Sequence, residues 1–176
     1  METVKLYHVS DRSIPRPDVH YGRVNADFGQ GFYLTPEREF ALRWAGEKAV
    51  LNSYELELDG LRVRRFQRDA DWFSYIFRNR RGQDGLDADV ILGPIANDSI
   101  FDTVGMLSSG FLAPEEALAL LRIGPAYTQL ALKTERAAAQ LRWLGAEPIA
   151  RLDSASRSQE QEEYLKALGE AMAELL

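Results

Sequence analysis

The sequence predicts an α+β domain. Apolar residues make up 45% of the 176 positions, enough for one domain with a real core. Strand-like runs at 51–58 and 61–66 stand side by side, while others alternate with short helical stretches. That mixture disfavours a doubly wound parallel sheet. No Gly-x-Gly-x-x-Gly turn follows a strand and no glycine-rich lysine loop is present, so Rossmann and P-loop readings have no support. Residues 1–150 form the expected domain, and 151–176 an acidic amphipathic helix that packs on it or on a partner.

Residues 3–10 alternate as a strand that ends on His8, Val9 and Ser10. Residues 11–30 hold Pro15, Pro17, Gly22 and Gly29 and form a long loop, usually a functional feature in a compact domain. Residues 31–35 are strand-like. Thr35 then reads as an N-cap, with Pro36 at the first helical position and acids in the first turn. That helix is expected to run to about Val50, burying Phe40, Ala41, Trp44 and Ala45. Tyr54, Leu56 and Leu58 share one face of strand 51–58. Asp59-Gly60 reads as a hairpin-type turn into a second half-buried strand at 61–66.

A helix from about Asp69 to Arg80 carries Trp72, Phe73, Ile76 and Phe77 at helical spacing. Trp44, Trp72, Phe73 and Phe77 are expected in the core. Residues 89–95 form a buried strand that ends on Gly93-Pro94. Helices follow near 99–108 and 114–122, the second opening on Pro114-Glu115-Glu116. Residues 127–133 read as a strand, 134–141 as a helix and 142–150 as a last strand. The tail from Ser158 to Leu176 sets Tyr164, Leu165, Leu168, Met172 and Leu176 on one side.

Composition removes several function classes. There is no cysteine, which excludes disulfides and thiolate metal sites, and His8 and His20 are too few for a histidine-built metal centre without carboxylate help. No apolar run approaches 18 residues and no signal peptide is visible, so the expected compartment is the cytoplasm, with signal-independent export left open. A net charge of −6 disfavours bulk nucleic-acid binding. Yet 17 of the 21 basic residues are arginine, and Arg62, Arg64, Arg65, Arg68, Arg78, Arg80 and Arg81 form a band. The band reads as a solvated strand edge and helix end, with an anion-binding face as the alternative.

The informative constellation is Leu6-Tyr7-His8-Val9-Ser10 together with Asp27-Phe28-Gly29-Gln30-Gly31-Phe32-Tyr33-Leu34-Thr35 and the alanine-bearing segment after it. It resembles the ADP-ribosyltransferase superfamily, in the branch of diphtheria toxin and the poly(ADP-ribose) polymerases. There a strand carries His-Gly-Ser or His-Gly-Thr, and a Phe-Gly-x-Gly-x-Tyr-Phe segment leads into a helix. To about residue 145 the chain also resembles an uncharacterised bacterial domain family of that clan, through Gly93-Pro94-Ile95-Ala96-Asn97-Asp98 and the strand from Gln129 to Thr134.

The resemblance implies a split β-sandwich of two small mixed sheets with flanking helices. It implies NAD as substrate, held by His8, Val9, Ser10, Phe28, Gly31, Phe32, Tyr33, Asn97 and Asp98. His8 would bond the adenosine-side ribose, and Ser10 and the backbone of Val9 the nicotinamide amide. Val9 replaces the branch's usual glycine and crowds that pocket. Tyr33 would stack on the nicotinamide ring. Gln129 stands where the branch has a glutamate, so the catalytic set is Gln129, Tyr33 and His8. Asn97 and Asp98 equally suit a cap for a helix beginning near Ser99.

Cleaving the nicotinamide–ribose bond builds oxocarbenium-like charge on the sugar, as in glycoside hydrolysis. A carboxylate stabilises that charge; a glutamine only orients a ribose hydroxyl. Losing such a charge costs on the order of 10²–10³ in rate. Asp98, then Asp27, are the candidate substitutes. The function the resemblance implies is mono-ADP-ribosyl transfer to an unidentified macromolecule by a bacterial toxin, either an effector or one half of a toxin–antitoxin pair. A weakened or inactive NAD- or ADP-ribose-binding module acting through a protein partner, and an NAD glycohydrolase, are the alternatives.

Overall fold

The computed structural model describes residues 1–96, 113–123, 126–150 and 154–175. The expected helix near 99–108 and the candidates Asn97 and Asp98 lie outside the described residues. The architecture is α+β, with two sheets. Strands β1 (Thr3–Ser10), β3 (Ala49–Glu57) and β7 (Leu141–Ile149) make an antiparallel sheet in the order β1-β3-β7. Strands β2 (Phe32–Leu34), β6 (Thr128–Leu132), β5 (Val90–Pro94) and β4 (Val63–Arg65) make a mixed sheet in the order β2-β6-β5-β4. Among the described strands only β4 and β5 pair in parallel. The sheets are stitched where Tyr7 and Thr35 exchange backbone hydrogen bonds of 2.8 and 3.0 Å.

Strand alternation divides the interior in two. Leu6, Phe32, Leu34, Tyr54, Leu56, Val90, Leu130 and Leu132 are buried in one cluster drawn from both sheets. Ile91 and Ala131, on the opposite face of the mixed sheet, pack under helix α2 (Ala70–Arg80) with Phe28, Trp72, Phe73, Tyr75 and Ile76. Asp69 caps α2 by accepting a hydrogen bond from the Trp72 N–H at 3.0 Å, and Trp72 Nε1 donates to the Pro94 carbonyl at 2.9 Å. Phe77 is only half-buried, contrary to expectation, while Tyr75 and Asn79 fill the buried stripe beside it. Tyr75 and Asn79 sit within reach of the loop before β2, so they are drawn inward by polar partners as well as by packing.

Two further expectations fail. The helix expected over 35–50 is only α1 (Arg38–Leu42), and its N-cap is Glu37, with no side-chain cap bond. Thr35 is wholly buried and spoken for: its backbone bridges to Tyr7, and its hydroxyl donates to the Thr128 carbonyl at 2.8 Å. The chain must then be extended by Ala49 to pair with Ile149, which leaves Trp44 beyond the helix, 48% exposed and edge-on to Phe40 at 4.6 Å. The turn at Asp59-Gly60 exists, with Gly60 at φ +78°, yet it makes no hairpin. The chain crosses there from one sheet to the other, and β4 pairs with β5.

Asp89 explains the crossing. Its buried carboxylate accepts from the Arg62 N–H at 2.9 Å, from Arg62 Nη2 at 3.0 Å and from the Thr134 hydroxyl at 2.9 Å. Helices α3 (Pro114–Leu121), α4 (Glu135–Ala139) and α5 (Ser154–Leu175) complete the described fold. Thr134 caps α4 through the Ala137 N–H at 3.2 Å. Helix α5 starts four residues earlier than expected, and its Leu165 is 55% exposed. No helix among the described residues is long and apolar enough to cross a membrane.

Candidate functional site

The segment Asp27–Gly31 is held shut against the mixed sheet. Gly29 sits at φ +75°, a conformation that favours glycine. Gly31 lies so close to β6 that a Cβ there would stand 2.6 Å from the Leu132 carbonyl oxygen. The two glycines thus serve different ends: one turns the chain, the other lets β2 reach its neighbour. The Tyr33 hydroxyl then closes the turn, donating to the Gly29 carbonyl at 2.6 Å and accepting from the Phe28 N–H at 2.9 Å. Burial, reinforced by the nearby Asp27 charge, pushes the Tyr33 phenol above its ordinary pKa, so it stays a donor at all working pH values.

Three more side chains clamp the same loop. Lys133, just past β6, donates from Nζ to the Phe28 carbonyl at 2.5 Å and to Asp84 at 2.9 Å. Asn79 Nδ2 donates to the Asp27 carbonyl at 2.9 Å, and Arg80 Nε to the Asp27 carboxylate at 2.8 Å. Phe28 itself is wholly buried, against Phe66 and Tyr75.

His8 approaches from β1. Its Nδ1 lies 2.6 Å from the Tyr33 carbonyl oxygen. A carbonyl only accepts, so Nδ1 carries the proton. Burial lowers the His8 pKa, opposed by that hydrogen bond, and the ring is neutral at pH 7. Nε2 is therefore left with a lone pair to offer. The imidazole packs against Phe32 at 4.4 Å between ring centroids. Phe32 and Tyr33 leave β2 on opposite faces, so His8 meets the Tyr33 backbone while the phenol points away from it.

Gln129 shares the Tyr33 face: Tyr33 pairs with Ala131, and Gln129 is two residues earlier in β6. It is 7% exposed, and its Nε2 reaches the Asp27 carboxylate at 3.5 Å. Asp27 is thus the carboxylate the structure brings to Gln129, already paired with Arg80 at 2.7 Å. The other expected positions scatter. Val9 pairs with Leu51 inside the antiparallel sheet, and the Ser10 hydroxyl bonds Asp11 at 3.3 Å at the strand's end. Phe28 and Phe32 are core residues on either side of the mixed sheet.

Two surface grooves flank α2, of about 680 and 460 Å³, and neither is lined by His8, Tyr33 or Gln129. Among the described residues no cluster of His, Asp and Glu suits a metal ion. Asn79 and Lys133, neither of them a candidate from the sequence, act as loop clamps. A polar side chain inside the buried stripe of an amphipathic helix was the available signal for Asn79; Lys133 carried none. Over residues 4–143 the chain matches the family described as Protein of unknown function (DUF3990). No curated protein and no solved structure matches it.

Proposed function

Since the chain belongs to the DUF3990 family, whose description assigns no activity, we propose from the site alone that it is an NAD-dependent mono-ADP-ribosyltransferase. The observation that carries the reading is the placement of three side chains around one short strand. His8 sits on the carbonyl of Tyr33 from the Phe32 side of β2, and Gln129 shares the opposite, Tyr33 face, all beside a glycine-hinged loop. His8, neutral with its lone pair on Nε2, suits accepting a hydrogen bond from a ribose hydroxyl. The Tyr33 ring offers a flat partner for a pyridine amide once its hydroxyl releases Gly29. Opening of the clamped loop is therefore part of the proposal, and it is a motion of the kind that gates many active sites.

In the reaction the bond between ribose C1′ and the nicotinamide nitrogen breaks. Nicotinamide leaves with the electron pair, positive charge develops on the sugar, and an acceptor nucleophile attacks C1′ and loses its proton. Gln129 orients a ribose hydroxyl but removes no proton. Asp27, 3.5 Å from the Gln129 amide, is the carboxylate in contact with Gln129 and would stabilise charge developing there, with its own charge opposed by Arg80.

A neutral Gln129 also supports a second reading, a module of the same site that binds NAD or ADP-ribose without turnover. Titration calorimetry with NAD, nicotinamide release and mass spectrometry for an added ADP-ribosyl unit separate the two. Release by the wild type and not by Tyr33→Ala identifies the enzyme. Release matched entirely by free ADP-ribose identifies hydrolysis. Absence of NAD binding at millimolar concentration removes all three.

A further inference from the structure

The arginine band is not uniform. Arg62 is ion-paired with Asp87 and Asp89, Arg65 with Glu2, and Arg80 with Asp27. Arg68 donates to the Arg122 carbonyl, and Arg81 covers Phe77. Among the described residues Arg64 and Arg78 form no ion pair, and these two line the same groove. They come from different elements, β4 and α2, so sequence neighbourhood alone does not bring them together. Two guanidinium groups left uncompensated at one concavity cost electrostatic repulsion, which an anion between them relieves.

The groove is of ligand size, about 460 Å³. Phe66 and Tyr75 form its floor, stacked at 5.0 Å between centroids and 14° from coplanar. The Arg64 guanidinium lies over Phe66 at 4.5 Å, which fixes its plane without consuming its hydrogen-bond donors. Ser74 adds an exposed hydroxyl one turn before Arg78. Asp71 also lines the groove and opposes an anion there, but one carboxylate against two guanidiniums leaves the concavity positive. The floor is occupied by the Arg64 cation and by ring-on-ring packing, so it offers little to a flat base.

We propose that this groove is a phosphoryl-binding site, with Arg64 and Arg78 as a two-armed clamp and Ser74 as a third donor, taking a small phosphate ester. It is independent of the ADP-ribosyl transfer proposed above. It also sits behind the clamped loop, because its two floor aromatics are the rings against which Phe28 packs.

The test uses the full chain with adenosine monophosphate, inorganic phosphate, adenosine and a deoxythymidine oligonucleotide as probes. Binding is read by calorimetry and by shifts of the Ser74 and Gly85 amides in NMR. The expected result is that adenosine monophosphate and phosphate both bind and shift those amides, while adenosine does not. Arg64→Gln and Arg78→Gln should each weaken binding about tenfold or more, with unchanged melting temperatures. The proposal is overturned if neither phosphate probe binds at millimolar concentration, if adenosine binds as well as its monophosphate, or if both substitutions leave affinity intact. It is also overturned if only the oligonucleotide binds, since the groove would then serve a polynucleotide. The amide shifts on the wild type keep the test decisive should a variant fail to fold.

Discussion

Replacing Tyr33 by Phe removes one oxygen and leaves the ring. That oxygen ties β2 to the turn ahead of it, through the Gly29 carbonyl at 2.6 Å and the Phe28 N–H at 2.9 Å. Each neutral hydrogen bond contributes about 1 kcal/mol net, and a buried partner left unpaired costs about 1–3 kcal/mol. The two backbone groups differ in their prospects. Phe28 is wholly buried, so its N–H has no route to water unless the loop moves, whereas Gly29 lies in a turn beside the Asp84–Lys133 ion pair. The expected loss is therefore about 2 kcal/mol. For a chain of this size that lowers the melting temperature by roughly 4–8 °C. The Asn79, Arg80 and Lys133 clamps remain, so the fold persists and the loss is local. Thermal melts measure the total, and hydrogen exchange at the Phe28 amide measures the local part, which should speed up far more than amides in β3. An unchanged Phe28 exchange rate with an unchanged melting temperature would refute the reasoning. Under the proposed function, Tyr33→Phe keeps the stacking surface and should bind NAD at least as well as wild type, because its loop opens more easily.

Three shorter predictions accompany it. Gly31→Ala places a Cβ 2.6 Å from the Leu132 carbonyl in the tight pairing of β2 with β6, and neither backbone has room to yield. It should cost about 1–3 kcal/mol by urea denaturation. Asp89→Asn removes the buried charge that pairs Arg62 and weakens the bond to Thr134, and with Arg62 half exposed it should cost about 1–3 kcal/mol. Arg62 holds the Asp89 carboxyl well below the usual carboxylate range, so the folded state binds its proton later than the unfolded chain does. The stability it supplies is complete above about pH 4 and drains away as pH falls toward the depressed folded value. Acid titration of Asp89→Asn should lack that part of the transition; an identical acid limb would contradict the assignment. Gln129→Glu restores a carboxylate on the Tyr33 face and should raise nicotinamide release by up to about 10²-fold. No gain, in a variant that still binds NAD, would favour the binding module.

Local chemistry made much of this fold legible. Residues 3–10 alternate because one face of β1 is buried, and Asp69 and Thr134 cap helices because their oxygens reach backbone N–H groups within one turn. Gly29 marks a turn in any setting, since its positive φ favours glycine, whereas the demand on Gly31 comes from distant Leu132. Capping and the Gly29 turn act within a few residues, so pattern and spacing report them. The strength of the capping signal at Thr35-Pro36 was misleading for a related reason. A side chain that suits a helix start also suits a bond to a distant carbonyl, and Thr128 supplied one.

What the amino-acid order determined, then, is the identity of the segments: an α+β chain, a strand ending on His8, a glycine-hinged turn before Phe32-Tyr33, and a polar Gln129 in an apolar strand. Only the tertiary structure decided that β4 abandons β3 for β5, that Asp27 meets Gln129 and Arg80, and that Arg64 and Arg78 face one groove unpaired. The physical reason is separation along the chain. Propensity and capping are settled between neighbours, whereas a carboxylate and the arginine that balances it, 53 residues apart for Asp27 and Arg80, find each other only after the sheets have closed.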